Sequence, residues 1–287
     1  MSVHSKKSAR IVTMLVDGRK IASDIAEELK AELVSVPKLK LLVIQVGADP
    51  ATESFIRMKK AFADKVGIEV TIEKFLDTAT TAELVARVQK ANADANVTGM
   101  IVQLPMPTSV STREVLDTIS PAKDPDLLSA ESKTNFALGT SEILPPVVGA
   151  IAEVLARYYV DVTELSTVVV GYGSLVGEPV TVWLKNKGVD YALVTSQTGD
   201  KVKIIKAAEL LITGAGDSGV IKPEMISIGV VIVDAGTSEH GGVMMGDCDP
   251  ACATKAALMT PVPGGVGPIA VATLFRNLVL LSRRAAK

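Results

Sequence analysis

Aromatic residues are scarce in this sequence: five Phe, four Tyr and one Trp make up 3% of 287 residues. A core of this size must then be built from Val, Ile, Leu and Ala, the residues of buried strands and of the helices that cover them. Histidine and cysteine are equally sparse, at two each, with His4 and His240 far apart and Cys248 close to Cys252. That set is too small for a zinc site or a disulfide framework, so no metal is expected and the thiols read as reduced, in a reducing compartment. No sign of charge dominates, because 30 basic residues face 32 acids for a net charge of -2. No basic stretch is interleaved with aromatics either, which removes nucleic acid from the expected partners. The longest apolar runs, such as TVVVGYG and IGVVIVDAG, are strand-sized and fall short of the roughly 20 residues a bilayer-spanning helix needs. A soluble, cytoplasmic protein with no membrane partner is the expectation. The opening MSVHSKKSAR is basic without the apolar centre of a secretory signal; it reads as a disordered start, with a short organelle-targeting remnant as the alternative.

What is present is an alternation of strand-like and helical segments from Ile11 onward. Leu41–Val46, Ile68–Phe75 and Gly99–Leu104 read as strands, with helices over Thr52–Val66 and Thr81–Ala91 between them. Strands separated by helices imply parallel pairing with right-handed crossovers. Pro145 and Pro146 break the chain before a helical run from Val148 to Tyr158, which places a hinge there. A second lobe follows, with strands at Thr167–Val170, Tyr191–Thr195, Leu210–Thr213, Val230–Val233 and Leu258–Thr260, a Rossmann-like spacing. The expected fold is therefore two-lobed α/β: an N-terminal α/β domain over 11–147 and a Rossmann-like domain with a parallel sheet over 148–268. The amphipathic helix over 269–286 returns to complete the first lobe.

Five places in the sequence carry candidate chemistry. VVVGYGSLVGEP sets Gly171 and Gly173 between a buried strand and a helix, with Gly177 in the helix's first turn. Glycines let a backbone approach a pyrophosphate, and the helix N-terminus offers N–H groups and a positive dipole end. The spacing departs by one residue from the usual G-x-G-x-x-G, and plain architecture explains such a turn as well as cofactor binding does. At the end of the next strand, Thr195-Ser196-Gln197-Thr198 shows neither the acid that would hold a ribose nor the Arg that would hold an extra phosphate. Phe55 and Lys59 share one helical face, and Gln103 stands at the end of a neighbouring parallel strand, where open sheets bind ligands. A lysine desolvated beside such a cleft acts as a base or polarises water, with Gln103 holding it in place. In Lys123-Asp124-Pro125-Asp126 the bland reading is a solvated turn; the sharper one has Asp126 accepting from a heterocycle with amino and ring N–H groups, such as a pterin. The string Pro261-Val262-Pro263-Gly264-Gly265-Val266-Gly267-Pro268 fixes a stiff loop at a domain junction, where loops line substrate clefts.

These pieces in this order resemble the bifunctional methylenetetrahydrofolate dehydrogenase/cyclohydrolase family. The resemblance runs from VDGRKIA through VGADPAT, VGIEV, GMIVQLPMP, KDPD, GYGSLVGEP, VVIVDAG and MGD to TPVPGGVGPIAVATL, nearly the whole chain. It implies hydride transfer from a folate methylene bridge to NADP or NAD, then hydrolysis of the methenyl product to formyltetrahydrofolate, in a cytoplasmic homodimer serving one-carbon metabolism and purine biosynthesis. Carried over by residue, the resemblance makes Lys59 the catalytic lysine, Gln103 its partner and Asp126 the pterin-binding aspartate. Phe55, Pro263, Gly264 and Gly265 would border the tetrahydrofolate. Gly171, Tyr172, Gly173, Ser174, Val176, Ser196, Gln197, Thr198 and Thr237 would surround the cofactor.

The departures bear on activity. Phe55 stands where the family usually has a tyrosine, so a hydroxyl is lost and water activation is the step expected to suffer. Leu127 replaces the glycine that usually follows KDPD, and Pro146, Val147 and Ala270 replace a usual cysteine and two threonines. Tyr172 and Gln197 stand where cations are common, which predicts weaker discrimination for NADP over NAD. A dehydrogenase without hydrolase activity, a folate-binding relative without turnover, and a Rossmann oxidoreductase acting on another substrate stand as the competing readings.

Overall fold

The computed structural model describes residues 13–34, 36, 38–47, 50–241 and 243–285. The targeting-remnant reading of the first ten residues, and His4 with it, lie outside the described residues. In chain order the strands are β1 (Met14–Leu15), β2 (Lys40–Val46), β3 (Glu69–Phe75), β4 (Gly99–Val102), β5 (Thr167–Val170), β6 (Tyr191–Val194), β7 (Leu210–Thr213), β8 (Val231–Asp234), β9 (Ser238–His240), β10 (Val243–Met245) and β11 (Leu258–Met259). The helices are α1 (Gly18–Leu33), α2 (Pro50–Val66), α3 (Thr81–Ala93), α4 (Thr112–Asp117), α5 (Ala130–Ala137), α6 (Pro146–Arg157), α7 (Gly177–Asn186), α8 (Lys201–Lys206) and α9 (Val266–Ala285). They form two compact units. One holds Gly18–Tyr159, Val182–Gly188 and the segment from Val266; the other holds the segment ending at Asp17, Val160–Thr181 and Val189–Gly265.

The first unit is built on a three-stranded parallel sheet in the order β3-β2-β4. Its central strand, KLLVIQV, is buried at every position after Lys40, as a strand covered on both faces must be. Leu42, Ile44 and Val46 turn to one face and join Met100 and Val102 of β4 with Leu84, Val88 and Ala91 of α3 and Val115 and Leu116 of α4. Period-two alternation sends Gln45, and Gln103 just past β4, to the other face, where α2 supplies their hydrogen-bond partners. A capping box on Thr80 and Glu83 starts α3. Helix α9 packs against α6, α1 and α2, with the Phe62 and Phe275 rings stacked at 5.3 Å. Arg157 of α6 and Arg276 of α9 share Glu153 and Glu28, which ties three helices by charge.

The second unit carries a six-stranded sheet, order β1-β11-β8-β7-β5-β6, parallel throughout. From β5 the chain moves outward to β6 and then returns to the other side of β5 as β7. The order therefore reverses between β5 and β7, the switch point at which open α/β sheets bind ligands. A separate antiparallel hairpin, β9 and β10, follows β8.

The structure moves several expected boundaries. The division between units falls after Tyr159, not at Val147, because α6 packs with α1 and α9. Tyr159 takes a left-handed backbone (φ 56) just past the end of α6, a conformation that ends a helix. Pro146 begins α6 instead of preceding it, since proline is compatible with a first helical turn. Residues 13–17, expected in the first domain, belong to the second unit: β1 pairs with β11, and Thr13 Oγ1 donates to the Ala256 carbonyl at 2.8 Å. Helix α9 begins at Val266, before Ile269, and over Val266–Arg283 it is long and apolar enough to cross a bilayer by length and composition. In this fold that apolar surface is the contact face for neighbouring helices, and 61% of the segment is buried.

Candidate active site and dinucleotide site

Lys59 lies two turns into α2 and Gln103 directly follows β4. The Lys59 ammonium donates to Gln103 Oε1 at 2.8 Å, while Gln103 Nε2 donates to the Leu104 carbonyl at 2.9 Å. The backbone N–H of Gln103 donates to Ile44 at 2.8 Å, which locks its position to the sheet. Gln103 is thus spoken for at three atoms, and its side chain can serve as a fixed acceptor. The lysine side chain keeps some accessible surface, but its ammonium is crowded by protein atoms and does not point into bulk solvent. Burial holds the Lys59 pKa below the ordinary lysine value, with the Asp126 carboxylate opposing that shift.

Asp126 is the electrostatic counterpart of Lys59. Burial raises its pKa, Lys59 lowers it and Asp124 raises it further. Among the described residues no protein donor hydrogen-bonds the Asp126 carboxylate. Asp124, 1% exposed, pins the loop instead, accepting from Ser129 N at 2.9 Å and Leu128 N at 3.3 Å. Asn277 of α9 completes the support by donating to the Pro125 carbonyl and the Leu144 carbonyl, both at 2.8 Å. Leu127 stands in the left-handed region (φ 52) with its side chain buried. The loop therefore keeps a turn that glycine would adopt freely, at a cost of about 1–2 kcal/mol set against the burial of a leucine. Neither Asp124 nor Asn277 was marked as a support by the sequence; Asn277, a polar residue on an apolar helix, was the available signal.

Phe55 lies one turn before Lys59 on α2, partly buried, with a ring and no hydroxyl to offer. Pro263, Gly264 and Gly265 follow β11 in the second unit. There Gly265 N donates to the Pro261 carbonyl at 2.8 Å and Gly264 is left-handed (φ 105).

The glycine turn sits at the switch point. Gly171 follows β5 with φ 90, and a Cβ on it would meet the Gly214 carbonyl at 2.6 Å and Ala215 N at 2.7 Å. A Cβ on Gly177 would overlap the Gly171 carbonyl, so this third glycine is what lets α7 start against the strand end. Gly173 has only the Gly214 carbonyl near, at 3.9 Å, and leaves its side open. These are the three duties of a dinucleotide fingerprint: the tight turn, the open approach and the close helix packing. The extra residue in the spacing lengthens the turn without removing any of them. Tyr172, 54% exposed, and the segment Ser174-Leu175-Val176 line the turn, and Val176 N bonds back to the Gly173 carbonyl at 3.3 Å.

Beyond β6, Thr198 Oγ1 accepts from Thr195 N at 2.9 Å and Gln197 N donates to Thr195 Oγ1 at 3.3 Å. The Thr195–Thr198 loop is thereby shaped by its own hydroxyls, with Ser196 and Gln197 at its tip. Thr237 follows β8, and its carbonyl lies 3.9 Å from where a Gly216 Cβ would be. Cys248 and Cys252 are both free and buried; burial raises both thiol pKa values, that of Cys252 to about 11, so neither is a ready nucleophile. No group of three potential metal ligands occurs among the described residues.

A desolvated lysine on a glutamine at the edge of one parallel sheet, with a dinucleotide turn at the switch point of another, defines a two-unit α/β dehydrogenase. The family models agree with that class. The catalytic domain of tetrahydrofolate dehydrogenase/cyclohydrolase matches residues 16–126, and the NAD(P)-binding domain of the same family matches 145–286. The bifunctional protein FolD of Lactobacillus gasseri is 33% identical over 94% of this chain and 98% of its own length. FolD of Exiguobacterium is 34% identical over 95% of this chain and 100% of its own. Among solved structures, the bifunctional FolD enzyme of Campylobacter jejuni superposes with a TM-score of 0.91 at 29% identity, covering 95% of this chain and 99% of that one. The Trypanosoma brucei FolD dehydrogenase-cyclohydrolase, solved with NADP and an inhibitor, gives 0.90 at 27% identity, covering 96% and 99%. The chain belongs to the tetrahydrofolate dehydrogenase/cyclohydrolase family.

Proposed function

We propose that this protein oxidises 5,10-methylenetetrahydrofolate to methenyltetrahydrofolate with NADP or NAD and hydrolyses that product to 10-formyltetrahydrofolate. The observation that carries the reading is the Lys59 ammonium, desolvated and fixed on Gln103 within electrostatic reach of Asp126. When bound, the nicotinamide supplies the hydride acceptor. The protein's part in that step is orientation, since a methylene bridge between two nitrogens needs placement more than activation. Asp126 recognises the pterin: a half-buried carboxylate that accepts no hydrogen bond from the described residues gains most from a ligand that offers amino and ring N–H groups. Its Lys59 neighbour and such a ligand both favour the charged carboxylate. For hydrolysis, the bond from the methenyl carbon to N5 breaks, with N5 taking up a proton, after water has added to that electrophilic carbon and lost a proton. Lys59 takes that proton as its neutral amine, a form its lowered pKa makes more accessible than in an ordinary lysine. Gln103 keeps the amine aimed while its charge changes.

Gly171, Gly173, Ser174 and Val176 cradle the cofactor pyrophosphate, Tyr172 with Ser196, Gln197 and Thr198 faces its adenosine side, and Thr237 borders it after β8. In the unit that carries Lys59, Phe55 borders the folate. The absence of a cation at Tyr172 and Gln197 favours use of NAD alongside NADP. We read the native state as a cytoplasmic homodimer that feeds purine biosynthesis: both cysteines are free, and among the described residues edge strand β6 is hydrogen-bonded to a strand on one side only. Membrane and nucleic acid have no part in this reading.

Phe55 favours a second reading, a dehydrogenase that has lost hydrolysis, because a hydroxyl one turn from Lys59 is missing. Mixing the protein with methylenetetrahydrofolate and each cofactor in turn, then following the decay of methenyltetrahydrofolate absorbance, separates the two. The bifunctional reading expects cofactor reduction and accelerated decay; reduction without acceleration leaves the dehydrogenase alone, and no reduction with either cofactor defeats both.

A further inference from the structure

Opposite the glycine turn, across the switch point, the loop after β7 runs through Gly214, Ala215, Gly216 and Asp217. It is a wall of the turn: Gly171 packs on Gly214 and Ala215 too closely for a Cβ, and Val176 packs against Gly214. Main-chain bonds from Gly214 to Val170 and from Gly219 to Gly246 close the ends of this wall, and a buried side chain holds its middle. Asp247, 0% exposed, accepts from Ala215 N at 2.6 Å and Asp217 N at 3.0 Å, and its carboxylate also bonds the Gly216 backbone. The same carboxylate fills the space where a Gly236 side chain would stand, so it presses on the loop after β8 as well.

Asp247 is itself fixed by a second buried acid. Asp234, at the end of β8, accepts from Asp247 N at 3.2 Å, Cys248 N at 2.8 Å, Gly236 N at 3.0 Å and Thr213 Oγ1 at 2.9 Å. Three strand-end loops, 214–217, 235–237 and 246–248, thus meet on two carboxylates at the edge where β5, β7 and β8 end. Backbone donors and the Thr213 hydroxyl satisfy the two acids, and among the described residues neither forms an ion pair with a cation. Burying two acids is costly, and the backbone donors that offset the cost are thereby fixed in place.

We infer that Asp247, seated on Asp234, is the positioning residue that sets the 214–217 wall against the glycine turn, and so serves cofactor binding and hydride transfer but not hydrolysis. The inference rests on the dinucleotide reading of that turn. Asp247→Asn in the full-length chain tests it, since the amide replaces one acceptor oxygen with a donor that opposes the loop N–H groups. The NADP⁺ dissociation constant, measured by calorimetric titration, should rise about tenfold, as the loss of charge-assisted bonds to backbone predicts. Hydrolysis of methenyltetrahydrofolate, which consumes no nicotinamide, should stay within about twofold and reports that the chain is folded. Thr213→Val removes a hydroxyl that bonds both Asp234 and Asp247 and leaves the bonds from Asp247 to the loop backbone in place, so it should raise the same constant by about two- to threefold.

Unchanged cofactor affinity in Asp247→Asn overturns the assignment. A parallel loss of hydrolysis and of cofactor affinity overturns it too, because Asp247 would then support the whole fold and not this wall; so would a larger effect of Thr213→Val than of Asp247→Asn. If the parent protein itself binds neither NADP⁺ nor NAD⁺, the dinucleotide reading has failed, an outcome distinct from the variant behaving like a binding-competent parent.

Discussion

In the unit that carries Lys59, the candidate chemistry sits in side chains: an amine, an amide and a carboxylate placed by a helix, a strand end and a loop. In the unit that carries Gly171, it sits in backbone: a turn, a helix start and a wall, with side chains used to hold main chain in place. The two differ in what a substitution does. Removing a side chain from the first takes away a reacting group and should appear in rate. Adding one to the second closes space and should appear in affinity.

The sharpest break in that contrast is Lys59→Ala. Loss of a general base predicts a fall of about 10³-fold in hydrolysis, with NADP⁺ affinity unchanged; hydrolysis at the parent rate would remove Lys59 from the mechanism. Its pH profile sharpens the point. A base works as its neutral form, and burial lowers the Lys59 pKa, so parent hydrolysis should climb with rising pH at values below the 10.5 of an ordinary lysine. Lys59→Arg, charged throughout, should lack that limb.

Gly177→Ala is the mirror experiment. Its new methyl would overlap the Gly171 carbonyl, and overpacking of about 1–3 kcal/mol predicts a ten- to hundredfold loss of cofactor affinity. Hydrolysis should be spared, and a variant that binds NADP⁺ normally would show that α7 can shift without cost. Tyr172→Arg supplies a cation at the turn; the ratio of kcat/KM for NADP⁺ over NAD⁺ should rise about tenfold. A strong NADP⁺ preference already present in the parent would contradict the premise. The smallest effect is expected from Phe55→Tyr, which restores one hydroxyl near Lys59 and should raise hydrolysis about threefold without altering the ratio of the two cofactors.

Much of this was legible in the residues. LLVIQV, GMIV, TVVV and LLIT could only be buried strands, and Gly171, Gly173 and Gly177 mark the turn without coordinates. Lys59 and Gln103 were identifiable because one helical face and one strand end project toward each other when the strands are parallel. Helices α1, α4 and α5 were not, although α1 carries a regular apolar face. Nor were the supports: Asn277 and Asp247 act on backbone groups distant in sequence, and nothing local distinguishes the pinning carboxylates of Asp124 and Asp234 from solvated ones. The Pro145–Pro146 pair read as the boundary because prolines usually interrupt, yet a helix can begin on one, and packing with α1 and α9 decided the allegiance of α6.

The sequence by itself determined which segments are strands and where glycine is required, because those follow from side-chain periodicity and from the absence of a Cβ, while its resemblance to a family is what singled out Lys59, Gln103 and Asp126. Only the tertiary structure decided that β1 joins the sheet containing β11, that Leu127 holds a left-handed turn, and that two buried acids gather three loops at the end of β7 and β8. Those outcomes depend on which strands become neighbours and on which polar groups are then left without water, quantities that exist only once the chain has closed on itself.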